Sequence, residues 1–308
     1  MASLSVAERD IPFKAPGVDK PCTTHVRIYG TLTPGHGPTP LVALHGGPGV
    51  SMDYILSLAD LAKDGGMAVV FYDQIGNGRS THLPERRGDA FFWTDALFLS
   101  ELQNVLDALG IAQDYALWGS SWGGMLAARH ALSRPPGLKR LVLASAPSSI
   151  SLWLESANRL MRTLPADVQA ALDKGERDKE YGSKEYQAAF DVFFANFGCR
   201  LKLLPEEVKE SGRWVARDDT VWMTMNGPSE FVNTGTLNSW SIIGELHKIN
   251  VPTLITNGAH DEAQDSVIRP FVEEIPDVKW VKFHKSAHMA HVEEREEYMK
   301  VLAEFLLA

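Results

Sequence analysis

Ser121 stands between two glycines in Gly119-Ser120-Ser121-Trp122-Gly123, a G-x-S-x-G pattern. In such an elbow the serine leaves a strand end through a strained turn and enters a helix, and glycines flank it because the turn leaves no room for side chains. Composition alone would produce this pentapeptide in about one chain in ten of this length, so its surroundings must decide. The apolar run Tyr115-Ala116-Leu117-Trp118 precedes it, and an alanine-rich helical segment, Met125 to Leu132, follows before Pro135-Pro136. A serine hydroxyl becomes a nucleophile only when a base takes its proton, and the base needs a carboxylate to hold its tautomer. A histidine and an acid must therefore lie elsewhere in the chain.

In the α/β-hydrolase form of this elbow the order is serine, acid, histidine, with the acid just after a late strand and the histidine near the C-terminus. The run Thr253-Leu254-Ile255-Thr256 leads to Asp261, and the run Lys279 to Phe283 leads to His288. Asp265 and His291 compete for the same roles. Asp261 is nearer its strand end, and the small pair Ser286-Ala287 gives His288 a tight loop, so the triad is read as Ser121, Asp261 and His288. His284, His288 and His291 have the spacing of one helix face, but His284 directly follows a strand and no H-E-x-x-H pattern is present. No metal or cofactor is implied. His45, His247 and the remaining histidines read as loop or surface residues.

Acyl transfer also needs donors for the oxyanion, one from the residue after the nucleophile and one from the loop after an early strand. These are the backbone N–H groups of Trp122 and, in His45-Gly46-Gly47-Pro48-Gly49, Gly47. The Gly76-Asn77-Gly78 turn lacks the third glycine of a dinucleotide fingerprint and the lysine of a phosphate loop, and reads as a plain turn.

The elements that must position these groups alternate. Apolar runs at Leu41–Leu44, Ala68–Tyr72, Tyr115–Trp118 and Leu141–Ala144 read as strands, separated by helices such as Thr94 to Gly110, with Thr94 as its cap. Strands this continuously apolar imply a parallel sheet covered on both faces. From about Ser148 to Trp240 the pattern turns helical and aromatic, which reads as an inserted cap. The expected organisation is a hydrolase core of residues 1–147 and 241–308 with a helical cap of 148–240, closed by a helix from Glu293 to Leu307.

With 308 residues, 44% of them apolar and 22% charged, the chain can bury a full core. A net charge of −9 with no Lys/Arg cluster argues against a nucleic-acid surface. The segment from Met1 to Val6 meets charge before an apolar stretch develops, and no run approaches the roughly 18 apolar residues of a membrane span. There is no Asn-x-Ser/Thr sequon, and Cys22 and Cys199 lie too far apart in sequence to suggest a disulfide framework. A cytoplasmic protein without nucleic-acid or membrane partners is expected.

His45-Gly46-Gly47-Pro48-Gly49, Asp73-Gln74-x-Gly76-x-Gly78-x-Ser80 and Gly119-x-Ser121-Trp122-Gly123 together resemble the proline iminopeptidases. The likeness reaches into the cap, where Met225-Asn226-Gly227-Pro228-Ser229-Glu230-Phe231 is similar to that family's M-x-G-P-x-E-F segment, closest to the archaeal tricorn-interacting aminopeptidases and their fungal relatives. The resemblance covers about residues 20 to 305. It implies that Glu230 and Glu262 hold the substrate's free α-amino group; by themselves both read as ordinary solvated residues. A desolvated ammonium does need paired negative charge. Trp122, Phe194, Trp222 and Phe231 are candidates for a side-chain pocket. Three positions depart from the family pattern: Ser120 and Ala287 replace glycines, and Ile75 stands where arginine is common. Ile75 bears on strict proline preference, because its loop is expected to border the site.

The reading is therefore a serine hydrolase of substrates with a free α-amine, small molecules or short peptides. An esterase or lactonase of the same fold, or a binding protein with a disused triad, would share most of these features.

Overall fold

The apolar runs lie side by side as strands in the computed structural model, which describes residues 4–33, 35–64 and 66–308. Met1 to Ser3, where the N-terminal segment discussed above begins, lie outside the described residues. The strands are β1 (Val6–Phe13), β2 (Cys22–Tyr29), β3 (Leu41–Leu44), β4 (Val69–Tyr72), β5 (Tyr115–Ser120), β6 (Leu138–Ala144), β7 (Thr253–Gly258) and β8 (Val278–Phe283). They form one sheet in the order β1-β2-β4-β3-β5-β6-β7-β8. From β4 to β8 all neighbours pair in parallel, whereas β2 pairs antiparallel with β4 and with β1.

The central strands β3, β4 and β5 are buried along their whole length. Alternate residues feed two cores: Val42, Leu44, Val70 and Leu117 pack on one face, and Leu41, Ala43, Val69 and Phe71 on the other. The first face is covered by helices Asp95–Ala108, Trp122–Leu132 and Asp265–Glu274, the second by Met52–Ala59 and Arg295–Leu306. Each fully buried Leu, Val or Phe contributes about 1.5–3 kcal/mol of transfer free energy. This is the mostly parallel, doubly covered sheet expected of an α/β-hydrolase.

The β1–β2 hairpin is an addition to the sequence reading, which began at Leu41. Only alternate residues of β2 are buried, and only Ile11 and Phe13 of β1. The strands carry charge on their open face and give no continuous apolar run to detect. Thr94 occupies the N-cap of its helix, but its side chain makes no capping hydrogen bond. The C-terminal helix is broken: Ala290–Glu293 forms one turn, and Glu294, in a non-helical conformation, restarts the chain into Arg295–Leu306. Among the described residues no helix is long and apolar enough to cross a membrane. Cys22 and Cys199 are free and buried.

Between β6 and β7 the chain makes the helical cap region: Ile150–Met161, Ala166–Asp178, Lys184–Phe193, Glu206–Arg217 and Thr220–Met225. Part of it has a core of its own, with Leu160, Met161, Leu172, Tyr186, Phe193 and Phe231 packed together. It docks on the sheet unit through apolar residues that join the two sheet cores, Ile150, Trp153, Val221 and Met225 on one face and Val208 on the other, and through polar contacts. Ser211 Oγ accepts the Tyr54 N–H at 3.0 Å, and the Asp218 carboxylate lies 2.6 Å from His82 Nδ1.

Candidate active site

β5 ends at Ser120 and the helix begins at Trp122, so Ser121 is the single residue of the turn, with φ 53° and ψ −121°. Non-glycine residues adopt such angles at a cost of about 1–3 kcal/mol, held here by the packing on either side. The flanking glycines have steric reasons. A Cβ on Gly119 would lie 2.1 Å from the Gly123 carbonyl oxygen, and one on Gly123 would lie 2.3 Å from that of Leu44.

Asp261 follows β7 and His288 follows β8, and the two meet, with His288 Nδ1 2.8 Å from Asp261 Oδ1. The same oxygen accepts the Ala263 N–H at 2.7 Å. Asp261 is buried by the turn that carries it. The ring of Trp153, from the cap, meets the His288 ring edge-on at 5.5 Å. His288 and Ser121 line one cavity of about 220 Å³. The competitors are elsewhere: Asp265 pairs with Lys282, and His291 is buried against the Tyr54 carbonyl, where burial pushes its pKa down to about 3.

Gly47 and Trp122 also line this cavity. The loop after β3 is close to the elbow, because a Cβ on Gly46 would be 3.1 Å from that of Ser121. It is held by bonds that sequence reading missed. Tyr54 Oη accepts the Gly46 N–H at 2.7 Å. His45, read as a loop or surface residue, is fully buried: its Nε2 accepts the Gln74 N–H at 2.9 Å, which leaves Nδ1–H to donate to the Gly46 carbonyl at 3.0 Å. Gln74 returns a bond to the His45 carbonyl and accepts the Trp122 indole N–H, both at 2.9 Å. One chain of hydrogen bonds thus joins the loop after β3, the loop after β4 and the residue after the elbow serine. His130 is likewise buried, against Tyr115 Oη. The signal for Gln74 was the Asp73-Gln74 motif itself, whose purpose only the fold discloses.

Ile75 points away from the cavity. Its side chain is in the core and its N–H donates to Glu101, a fully buried carboxyl that also accepts from Thr24 Oγ1. Burial pushes Glu101 up to about 8. The expected border with the site is made by Gln74 through Trp122, so Ile75 acts at one remove.

Glu230 from the cap and Glu262 from the turn after Asp261 both stand on the cavity wall with Trp122, Phe194 and Trp222. Phe231 does not; it is buried in the cap's own core against Phe193, because the chain reverses its facing between neighbouring residues. Glu262 Oε1 is 3.9 Å from His288 Nδ1. Burial raises the pKa of Glu230 and Glu262, opposed by the His288 charge, and the Glu230 and Asp261 carboxylates further raise Glu262. For His288, burial acts downward but is outweighed by Asp261, Glu262 and Glu230, so its pKa is raised. The wall is an acidic cluster around one imidazole.

An elbow serine, a paired histidine and acid, and a loop after β3 on one cavity define a serine-hydrolase type of site. The family model described as alpha/beta hydrolase fold matches residues 39–295. The chain belongs to the alpha/beta hydrolase fold family, and its homologues there include proline iminopeptidases. It is 38% identical over 272 residues to the proline iminopeptidase of Heyndrickxia coagulans, covering 88% of this chain and 91% of the relative. Among solved structures it is similar to VinJ, with 43% identity, 97% of this chain and 98% of that one covered, and a TM-score of 0.92. The proline iminopeptidase of Mycobacterium smegmatis is 39% identical, with 97% of each chain covered and a TM-score of 0.87.

Proposed function

We propose that the protein is a serine aminopeptidase or amidase acting on short peptides and amino-acid amides with a free α-amino group, the N-terminal residue being proline or another. The observation that carries this is the pair Glu230 and Glu262 on the wall of the cavity that holds Ser121 and His288. Buried carboxylates that no lysine or arginine pairs are costly, and a substrate ammonium relieves that cost.

In this mechanism Ser121 Oγ attacks the amide carbonyl while His288 takes its proton, and Asp261 holds the ring through Nδ1. The Gly47 and Trp122 N–H groups donate to the oxyanion. His288 then protonates the leaving amine, and water hydrolyses the acyl-enzyme by the same steps in reverse. The ammonium also acts on the base. Its single positive charge offsets part of the Glu230 and Glu262 charge that holds the proton on His288, so a substrate with a free amine moves the imidazole toward its basic form.

The test is kcat/KM on alanine and proline p-nitroanilides with free and acetylated amines. Free-amine substrates are expected to lead by at least about 100-fold, and Glu230→Gln to lose about 10- to 100-fold on them alone, the range of one or two charged hydrogen bonds. Equal turnover of acetylated substrates would leave a serine hydrolase and remove the aminopeptidase reading.

A further inference from the structure

The cavity wall has two parts with different chemistry. One, beside His288, carries Glu230, Glu262, Trp153 and Phe194. The other is built by Val50 and Tyr54 of the sheet unit and by Val208, Ser211 and Gly212 of the cap helix Glu206–Arg217, joined where Ser211 Oγ accepts the Tyr54 N–H. Among the described residues the ionisable groups on the wall are the two glutamates, His288 and the Tyr54 phenol. None is a lysine or arginine. The cations on the elements of this second part and beside them are engaged: Arg79 makes a two-point contact with Asp53 at 2.9 Å for each bond, and Arg213 and Lys209 pair with Glu206 and Glu210.

Gly212 is the informative residue. It sits in the interior of a helix, in ordinary helical conformation, and a Cβ built on it meets no atom within 4 Å. Neither the backbone nor the packing asks for glycine, and glycine weakens a helix there. It lies exposed at the rim of the cavity, where the missing side chain leaves the wall open and uncharged.

We infer that this site selects amides whose leaving group carries no negative charge, with Gly212 as a specificity-determining position, and that it discriminates against dipeptides, whose free carboxylate follows the scissile bond. This rests on the free-amine reading above. A dipeptide carboxylate enters a cavity that already holds two carboxylates and offers it no cation. The amide or ester of the same dipeptide escapes that repulsion and places its apolar part against Val50, Val208 and Tyr54.

The experiment compares Ala-Leu, Ala-Leu-amide, Ala-Leu methyl ester and acetyl-Ala-Leu-amide by kcat/KM for release of the leucine moiety, in wild type and Gly212→Arg. The amide and methyl ester are expected to exceed the free dipeptide by about tenfold or more, and the gap to narrow at high salt. Gly212→Arg, which supplies the missing cation at a site with room for it, is expected to raise turnover of the free dipeptide about tenfold relative to that of the amide. A free dipeptide cleaved as well as its amide would overturn the inference and leave the free-amine reading standing. A gap that Gly212→Arg does not narrow, with the variant folded and active on the amide, would overturn Gly212's role. Cleavage of the acetylated substrate at the rate of the free amine would instead remove the underlying reading.

Discussion

Asp261 and Glu262 are neighbours in sequence and opposites in environment. Asp261 has its acceptor positions taken by the His288 ring and the Ala263 N–H, supplied by its own turn and by the loop after β8. Glu262 and its cap counterpart Glu230 face the cavity, where burial raises both and no lysine or arginine meets them. A carboxylate whose partners come from the protein orients other groups. One whose burial is left uncompensated is available to a ligand, and the fold carries it as a local instability until the ligand arrives.

The comparison is broken most sharply through the orienting acid. Asp261→Asn keeps the shape and removes the charge that fixes the tautomer, and kcat is expected to fall about 10⁴-fold with little change in KM. A loss below tenfold in single-turnover assays would reassign Asp261 to structure alone.

Glu262→Gln is expected to act in the opposite sense on stability. Because the folded pKa of Glu262 is raised, its stabilising share is present at acid pH and lost as pH climbs through the raised value. A glutamine does not titrate, so the variant's Tm should exceed that of wild type by a margin that grows from about pH 5 to 8 and then levels off, while kcat/KM on free-amine substrates falls about 10- to 100-fold. A variant less stable than wild type at pH 9 would count against the strain argument.

Gln74→Ala sharpens the contrast in a different place. It leaves the Trp122 indole and the His45 carbonyl without their side-chain partner, at a cost of about 1–3 kcal/mol. A fall in kcat of about tenfold, with KM kept, is expected if the bond chain holds the oxyanion donors in place.

The smallest effect on activity belongs to Glu101, buried like Glu262 but satisfied by Thr24 and Ile75. Its pKa of about 8 makes wild-type stability decline between roughly pH 5 and 8. Glu101→Gln should flatten that part of the Tm–pH profile and leave kcat/KM within about twofold.

The elbow, its strand and its helix were legible because their constraints are local: Gly119 and Gly123 are demanded by atoms of the turn and of the adjoining loop. The strands β3 to β7 were legible because burial along most of their length leaves an apolar run, whereas β8 is only partly buried and alternates with Lys279 and Lys282. β1 and β2 were not, since a half-exposed edge hairpin alternates with charge and resembles loop. The histidines show the same division. His288 was read correctly into its loop, but the burial of His45 and His291 depends on Gln74 and Tyr54, far away in sequence.

What the sequence determined by itself was the set of groups that chemistry requires and their order along the chain, because steric rules of a turn and the period of a strand act between neighbours. Only the tertiary structure decided which of those groups share a cavity. Glu230 and Glu262 lie 32 positions apart by their numbers and meet only when the cap folds over β7. Phe231, one residue on, turns into the cap core instead. Facing and burial depend on what packs from a distance, and that information belongs to no single stretch of the chain.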